Sequence, residues 1–518
     1  MLTRFKTVAV TEKWYSTEKC RNLVLNIEKE SQILGYIKLA EQKGFSKTER
    51  VKEFIKEARK NIKEEEEQVD SKGIESGWKE LYKKDRKNCI YELTKMLIHK
   101  HNIISIGDRM LVLYVYDSGY YREGEKDIKK EIQELLEEEG TTHMKNEVVN
   151  QIKDLSYINH KEIEDNRDLI PLSNGVYSIT EGKLIGYKPE NYFFTKLSVN
   201  YREGADCPKH KKFFDEILDS DDVVTMQELL GFSLYRKNFI KKAFIFTGEK
   251  NTGKSTLIKV ISNLFGKENF CGVSLQKLAQ DKFSLANLHN KHLNIYDDLD
   301  AKGINDTGIF KIATGGGLCS GERKFGEEFQ FVSYAKNIFA CNKIPDVKEV
   351  DDDAYFDRWL IINFSAEIKK VNPFLDEELA SEEELSGLFN WAVEGLKRLL
   401  DQKKFTNTIS SEKTKEVMLK GANSIAGFVV DCLKEGESDF ILGEDMYTEY
   451  RKYCQFNNFQ LKSDKTFQKN INKFAPFANK CKSKLNRKMK EMRGYENVII
   501  NSESYNKDIS PPPFFPEI

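Results

Sequence analysis

The chain has 518 residues, which is enough for several domains. Its 82 basic and 83 acidic residues give a net charge of −1, so nucleic-acid contacts must come from a local charge asymmetry. The sequence has no apolar run near the ~18 residues of a membrane-spanning helix, and its nine cysteines form no CxxC pair. We therefore exclude a membrane protein, a disulfide scaffold and a zinc ribbon, and expect a cytoplasmic protein in a reducing compartment.

The first 215 residues are predicted to form two parts. Residues 1–90 are polar and have the composition of a helical extension. Residues 91–215 combine helical patterning with a β-rich segment, in which Asn-Gly at 174–175 and Glu-Gly at 181–182 supply turns between short strands. This segment is predicted to lead into the next domain.

Short apolar runs alternate with helical segments between residues 216 and 405. Parallel strands buried on both faces have this pattern, so the sequence predicts an α/β domain. A long helix is predicted over 381–400, where Ser381 and Glu384 have the spacing of a capping box. The predicted strands are KKAFIFTG, HLNIYDD, KNIFACN and RWLIINF.

A glycine-rich loop follows the first of these strands. Its residues match GxxxxGK[ST] without a mismatch, and an apolar strand precedes it while a helix follows, as a phosphate-binding loop requires. Lys254 would place a positive charge at the β- and γ-phosphates, and the Ser255 hydroxyl would bind Mg²⁺. The residues predicted to bind the nucleotide are Gly248, Glu249, Lys250, Asn251, Thr252, Gly253, Lys254, Ser255 and Thr256.

Two adjacent carboxylates, Asp297 and Asp298, end the second predicted strand, 43 residues after Lys254. One would complete the Mg²⁺ site with Ser255, for which Asp297 is our candidate, and the other would polarise the attacking water. The residues alone leave open which of the two is the base. The acidic cluster at 351–353 is a weaker candidate because no apolar strand leads into it.

Two further polar residues flank predicted strands. Asn342 ends the third strand, where an amide can hold the water or sense the γ-phosphate, although such an Asn is often an ordinary turn residue. Arg358 opens the fourth strand and is a candidate arginine finger that reaches the nucleotide of a neighbouring subunit. Lys254, Asp297, Asp298, Asn342 and Arg358 form the predicted catalytic set.

These elements, in this order, resemble the superfamily 3 helicases of viruses, phages and plasmids. The resemblance includes the segment 314–325, Thr-Gly-Gly-Gly-Leu-Cys-Ser-Gly-Glu-Arg-Lys-Phe, which in that family leads into a hairpin that touches DNA. It implies DNA contact for Arg323, Lys324 and Phe325. It also implies an AAA+-like P-loop NTPase core, ATP and Mg²⁺ as cofactors, and a hexameric ring that travels 3′ to 5′ on single-stranded DNA.

The flanking regions are similar to those of the phage/plasmid and poxvirus-type primase-helicases. Residues 425–500 resemble the C-terminal winged-helix domain of that family. Within them, residues 461–490 hold ten Lys or Arg and one acid, which indicates either a forked-DNA contact or a solvated surface. The candidate DNA-binding residues there are Lys465, Lys469, Lys482, Lys484, Arg487 and Lys488.

Several features depart from the family or stay open. Gly317 replaces an acid that relatives often carry, and Arg358 stands alone after Asp357 where many relatives have two arginines. Residues 1–90 are too short and polar for a primase domain, so we expect a separate primase or polymerase. The Pro-rich tail at 501–518 is either flexible or a docking peptide for a partner.

The sequence therefore predicts a replicative DNA helicase that hydrolyses ATP. The alternative is a replication initiator that binds an origin through its C-terminal domain and uses ATP as an assembly switch. A signalling or defence NTPase is a third hypothesis, which the segment 322–325 and the basic stretch disfavour. Cys207 and His210 have zinc-ligand spacing, but no second pair lies nearby and a turn is favoured.

Overall fold

The structure is a computed structural model. It describes residues 77–107, 110–159, 163, 166–280, 282–300, 306–322, 328–345, 352–366, 368, 372–457, 459–483 and 492–501. The described chain divides into two compact units. The first is drawn from residues 1–105 and 124–157, and the second from 106–123 and 158–518. The predictions for most of the N-terminal extension and for the tail lie outside the described residues, as do those for six DNA-contact candidates: Arg323, Lys324, Phe325, Lys484, Arg487 and Lys488.

The first unit is helical. Asp85 and Thr141 cap two of its helices, because their side chains accept hydrogen bonds from the backbone N–H groups of Asn88 and Met144. Its core consists of fully buried aliphatic side chains, including Leu93, Leu97, Ile132, Val148 and Ile152. The helices are α1 (Trp78–Lys84), α2 (Arg86–Lys100), α3 (Glu125–Leu136) and α4 (Thr142–Leu155).

A short strand, β1 (Ile104–Ile106), precedes two antiparallel elements of the second unit. The first is a hairpin of β2 (Val112–Asp117) and β3 (Tyr120–Glu123). The second is a three-stranded sheet of β4 (Leu169–Leu172), β5 (Gly175–Ser178) and β6 (Lys183–Ile185). Both turns predicted from glycine pairs are present, since Leu172 pairs with Gly175 and Ser178 pairs with Lys183.

A five-stranded parallel sheet forms the centre of the second unit, with strand order β13-β7-β12-β9-β8. All four strands predicted from apolar runs are found in it, and the predicted α/β class is confirmed. The two-residue strand β8 was not predicted. The strands are β7 (Ala243–Gly248), β8 (Phe270–Cys271), β9 (Leu293–Tyr296), β12 (Lys336–Cys341) and β13 (Trp359–Phe364). An antiparallel hairpin, β10 (Leu318–Glu322) with β11 (Glu328–Val332), precedes β12.

Helices cover both faces of the sheet because successive strand residues point to opposite sides. Phe244 and Phe246 of β7 belong to a core with helices on one face, whereas Ile245 belongs to a separate core on the other. The helices are α5 (Pro208–Ile217), α6 (Ser220–Leu234), α7 (Lys254–Phe265), α8 (Leu275–Gln280), α9 (Lys282–Ala286), α10 (Gly308–Gly315), α11 (Asp353–Phe356), α12 (Leu375–Leu379) and α13 (Glu382–Gln402).

The helix predicted over 381–400 is confirmed as α13, but its predicted capping box is wrong. The Ser381 side chain accepts no capping hydrogen bond. The Glu384 carboxylate instead accepts from the backbone N–H groups of Lys209 and His210 at the start of α5, each at 3.2 Å. A carboxylate at a helix N-terminus accepts hydrogen bonds from N–H groups that have no partner within the helix. It also interacts favourably with the positive end of the helix dipole, so Glu384 joins α13 to α5.

Helices α6 and α13 pack closely at Gly231, and we expect Gly231→Ala to destabilise the fold. A Cβ at this position would lie 2.4 Å from both the Ala392 carbonyl oxygen and the Leu396 nitrogen, which are backbone atoms that cannot rotate away. Overpacking of this kind costs about 1–3 kcal/mol, so thermal unfolding should show a clearly lower Tm. Gly186→Ala is the control, because a Cβ there meets nothing within 4 Å. Equal Tm values for the two variants would contradict this packing.

The C-terminal part of the second unit holds helices and a second small sheet. The helix predicted after Ser463 is confirmed, and Ser463 Oγ accepts from the Thr466 N–H at 3.3 Å. The predicted pair of strands is present as β15 and β16, and β14, which was not predicted, completes the order β14-β16-β15. The elements are α14 (Ser411–Ala422), α15 (Ser424–Cys432), β14 (Leu433–Leu442), α16 (Gly443–Phe456), α17 (Asp464–Phe474), β15 (Asn479–Ser483) and β16 (Met492–Ile500).

Candidate functional site at the carboxyl edge of the sheet

The carboxyl ends of the central strands meet at one edge of the sheet. Register pairs Cys341 of β12 with Thr247 of β7, and Phe339 of β12 with Tyr296, the last residue of β9. The loops after β7, β9 and β12 therefore leave the sheet side by side. Open parallel α/β sheets bind their ligands at this edge.

The loop after β7 curls back before α7 begins. Gly253 has φ 91°, and a Cβ there would lie 2.8 Å from Ile217 Cγ2, so both the backbone conformation and the close packing favour glycine. Asn251 also has positive φ, at 62°. Lys254 is the first residue of α7 and is followed by Ser255 and Thr256, so the N-terminus of this helix faces the loop. This strand–loop–helix arrangement is the one that the sequence predicted.

Backbone carbonyl groups of the loop hold the Lys254 side chain over it. Its Nζ donates to the carbonyl oxygens of Gly248 and Glu249, both at 2.7 Å. Partial burial lowers the pKa of Lys254, while the nearby side chains of Cys341, Glu249 and Asp297 act in the opposite direction. The ammonium group therefore lies within electrostatic range of the strand ends of both β9 and β12.

Asp297, Asp298 and Asn342 lie at the same edge. The two carboxylates directly follow β9, and Asn342 directly follows β12, the strand between β9 and β7. All three side chains are exposed to solvent. Leu299 N–H donates to the Ala340 carbonyl at 2.9 Å, which holds the segment carrying the two aspartates against β12. The structure thus brings these three residues and the 248–256 loop to one edge of one sheet.

Arg358 lies at the opposite edge. Its carbonyl oxygen accepts from the N–H of Ala243, the first residue of β7, and six register pairs run from there to Phe364 and Gly248. At about 3.3 Å per residue these pairs span ~16 Å, which is longer than an arginine side chain. Arg358 therefore cannot reach the 248–256 loop of its own chain. This geometry is compatible with the predicted action on a neighbouring subunit and excludes action within one chain.

Sequence reasoning missed two features of the carboxyl edge. Thr247 and Cys341 pair across β7 and β12. Burial raises the pKa of the Cys341 thiol to about 12, while the neighbouring Thr247 and Lys254 side chains act in the opposite direction. Asp222 Oδ2 accepts from the Asn363 N–H on β13 at 3.2 Å, and burial raises its pKa to about 6. The acidic first turn of α6 was the available signal for Asp222.

The other candidates have structural partners. Asp352, from the rival acidic cluster, caps α11 through the Tyr355 N–H and binds Lys311 Nζ at 2.8 Å. His210 Nδ1 lies 3.1 Å from Glu384 Oε2. Across the described residues, no group of three or more His, Cys, Asp or Glu side chains could hold a metal ion. Cys207 is the N-cap residue of α5, and His210 lies in the first turn of this helix.

Three of the predicted DNA-contact residues are described, and all three are exposed. Lys465 and Lys469 are four residues apart on α17, which places them on one face of the helix, and Lys482 lies on β15. Among the described residues, no helix is both long and apolar enough to cross a membrane.

Comparisons with known proteins place these elements in a family. The family model described as "D5 N terminal like" matches residues 8–219, and "Poxvirus D5 protein-like" matches residues 420–505. The region between them, residues 246–358, matches a family of unknown function, DUF5906. The D5-type matches thus lie on both sides of the parallel sheet, and the first begins well before residue 90, where the sequence resemblance began.

Two viral proteins are similar to this chain. "Putative helicase L207/L206" of Acanthamoeba polyphaga mimivirus is 24% identical over 257 residues, which cover 46% of this chain and 26% of the relative. "Putative helicase 184R" of Invertebrate iridescent virus 6 is 24% identical over 231 residues, covering 40% and 23%. The chain spans about a quarter of the length of each relative.

Among solved structures, the apo C-terminal region of NrS-1 matches with a TM-score of 0.42 and 14% identity, covering 78% of this chain and 98% of that chain. A second apo form of the same region has a TM-score of 0.41 and 15% identity, with the same coverage.

The central domain defines the class: an α/β protein whose parallel sheet presents a glycine-rich loop and acidic strand ends at one edge. The D5-type models and the viral helicase relatives together support a D5-type family of superfamily 3 helicases.

Proposed function

We propose that this chain is a replicative DNA helicase that couples ATP hydrolysis to movement along single-stranded DNA and to strand separation. The observation that carries the proposal is the convergence of the 248–256 loop, Asp297, Asp298 and Asn342 at one sheet edge, with Arg358 at the other. That arrangement suits phosphoryl transfer at an interface between two copies of the chain. Family membership supports a role in replication.

The residues at this edge have separate roles in ATP hydrolysis. The N–H groups of the 248–256 loop and the N-terminus of α7 bind the phosphates, and Lys254 exchanges its carbonyl partners for phosphate oxygens. Ser255 and Asp297 would hold Mg²⁺, which would supply positive charge beside the phosphates. One carboxylate of the Asp297–Asp298 pair polarises the attacking water, which Asn342 helps to orient.

We expect Asp298→Asn to leave ATP bound but unhydrolysed. The amide keeps the size of the side chain but cannot act as a base, so the phosphate contacts of Lys254 persist while water activation is lost. A general base contributes about 10²–10⁴-fold to a rate. Turnover and the affinity for a fluorescent ATP analogue would be measured together, with Asp300→Asn as a nearby exposed control. Full hydrolysis by Asp298→Asn would remove Asp298 from this role and leave Asp297 as the candidate.

The assembly and the DNA contacts belong to the same proposal. Because Arg358 cannot reach its own loop, hydrolysis requires a homo-oligomer, for which family resemblance implies a hexameric ring. Single-stranded DNA contacts Arg323, Lys324 and Phe325 in the channel, and forked DNA contacts the basic C-terminal residues, which we propose form a winged helix. A separate primase or polymerase supplies primers, and the reaction takes place in the host cytoplasm.

The direct test is unwinding of a fluorescent duplex that carries either a 3′ or a 5′ single-stranded tail, with ATP and Mg²⁺. Separation of the 3′-tailed duplex alone is expected, and Lys254→Ala is the inactive control. If Lys324→Ala unwinds normally, the assignment of the DNA contact is wrong. If neither duplex is separated although ATP is hydrolysed, the helicase proposal fails.

A second function has one observation in its favour. Exposed lysines lie on α17 and on β15, and such cations suit contact with the phosphates of duplex DNA, as an origin-binding initiator would need. Such an initiator would hydrolyse ATP slowly, prefer one duplex sequence and unwind nothing. The unwinding assay, combined with a duplex-binding selection, distinguishes the two.

A further inference from the structure

Two hydrogen bonds fix the orientation of the Arg358 guanidinium. Nε donates to Thr314 Oγ1 at 3.1 Å, and Nη1 donates to the Ala354 carbonyl oxygen. In the described part of the chain, no carboxylate forms an ion pair with Arg358 within 4.0 Å. A Cβ atom added at Gly315 would lie 3.9 Å from Nη2 of Arg358. The hydrogen-bond partners of the guanidinium are therefore uncharged, while the Asp352 and Asp357 carboxylates act on it through space.

The Thr314 hydroxyl is buried, and it both donates and accepts a hydrogen bond. It donates to the Phe310 carbonyl oxygen at 2.8 Å, one turn back in α10, and accepts from Arg358. Only 1% of the residue is exposed. Since a hydroxyl has one proton, its bond to Phe310 leaves a lone pair directed at Arg358. A side chain without an oxygen at this position cannot hold Nε.

Helix α10, which carries Thr314, is fixed to the same segment that carries Arg358. Asp352 Oδ2 binds Thr307 Oγ1 at 2.5 Å and Lys311 Nζ at 2.8 Å. Phe310 stacks on Trp359, the residue after Arg358, with ring centroids 4.7 Å apart and planes 18° apart. These contacts at several points along α10 make the helix and the 352–359 segment one packed body.

We propose that Thr314 is the positioning residue for Arg358: the Thr314 hydroxyl aims the guanidinium out of its own subunit, at the nucleotide of the neighbouring copy. The inference rests on the proposed ATPase. It adds a residue outside the predicted catalytic set, and it places that residue directly before the glycines that lead into β10.

The same bond ties the finger to the base of the β10–β11 hairpin. Thr314 is four residues before Leu318, which opens β10, and the Gly317 N–H donates back to the Ile312 carbonyl at 3.2 Å. Asn238 Nδ2 donates to the carbonyl oxygens of Ala313 and Ser333, at 3.3 and 3.2 Å, so it holds both ends of the hairpin. The Arg358 guanidinium, α10 and the start of β10 are therefore joined by consecutive contacts.

The test uses three substitutions at position 314 in the full chain. Thr314→Val and Thr314→Ala both remove the acceptor, whereas Thr314→Ser keeps it. We expect the first two to lower kcat for ATP about tenfold or more with KM nearly unchanged, because the hydrogen bond that orients Arg358 is lost while the loop that binds the nucleotide is unaltered. Thr314→Ser should retain a kcat near the wild-type value. Tm is measured for each variant, so the comparison rests on those that fold.

Mixing of variant subunits distinguishes a positioning role of Thr314 from a general loss of ATPase activity. A Thr314→Val subunit keeps an intact nucleotide loop, so mixing it with Lys254→Ala subunits, which carry an intact finger, should restore hydrolysis. The proposal is overturned if the mixture stays inactive, if Thr314→Ser loses as much kcat as Thr314→Val, or if Val and Ala variants both match the wild type. Failure of the wild-type chain to hydrolyse ATP is a different result, and it would contradict the proposed function itself.

Discussion

Replacing Lys254 with alanine is expected to abolish ATP turnover while leaving the fold intact. The side chain emerges from the first turn of α7 and bends over the loop, with Nζ 2.7 Å from the carbonyl oxygens of Gly248 and Glu249. Such a preorganised cation needs little rearrangement to stabilise charge that develops on the transferred phosphate. Removing one donor of this kind costs about 10²–10³-fold in kcat.

The stability of the Lys254→Ala variant should change little, because the side chain is only partly buried and its partners are loop carbonyls that water can solvate. Lys259→Ala is the matched control. It lies on the same helix, and its exposed ion pair with Asp376 is worth about 0–1 kcal/mol at most. ATP turnover and Tm are measured for both variants. Wild-type turnover by Lys254→Ala would rule out the phosphate contact.

Arg358→Ala is expected to bind ATP normally and to lose hydrolysis. Arginine fingers contribute about 10³–10⁵-fold to kcat, and Arg358, the proposed finger, lies a full strand length from the loop of its own chain. Binding and chemistry should therefore separate cleanly: affinity for a fluorescent nucleotide is retained, while phosphate release is lost. Arg202→Ala, which removes an exposed arginine paired with Glu382, is the control and should retain wild-type turnover.

Mixtures test whether Arg358 acts in trans. A Lys254→Ala subunit has a defective loop and an intact finger, and an Arg358→Ala subunit has the reverse. Neighbours of the two kinds should hydrolyse ATP at the interfaces where both intact parts meet. Mixing Arg358→Ala with the Lys254→Ala/Arg358→Ala double variant should restore nothing. Equal activity in both mixtures would show that Arg358 does not complete a neighbour's site.

Much of the central domain could be predicted from the sequence because its signals are local. Apolar runs mark strands that are buried on both faces, and a strand followed by a glycine loop and a helix needs few contacts to be recognised. The positions of Asp297 and Asn342 at strand ends are local facts too. Neighbouring parallel strands then bring those ends together, which is why the set predicted for the carboxyl edge lies at one edge in the structure.

The sequence-based predictions failed where a residue forms hydrogen bonds with residues that are distant in the sequence. Glu384 was predicted to cap its own helix, but it caps α5, which is 174 residues away at His210. Strand β14 carries charged residues and a register irregularity between Glu435 and Phe440, so it lacks the apolar pattern of the strands that were recognised. Its pairing with β16 depends on residues more than 50 positions later in the sequence.

The α/β class, the loop that contains Lys254 and the carboxylates expected to act with it can be recognised in the sequence, because each depends on a few consecutive residues. Three-dimensional contacts were needed to show that Arg358 lies a strand length from that loop and that Thr314 holds its guanidinium. The physical reason is that hydrogen bonds and sheet register join residues by distance in space. Thr314 and Arg358 are 44 positions apart, and no local pattern records their contact.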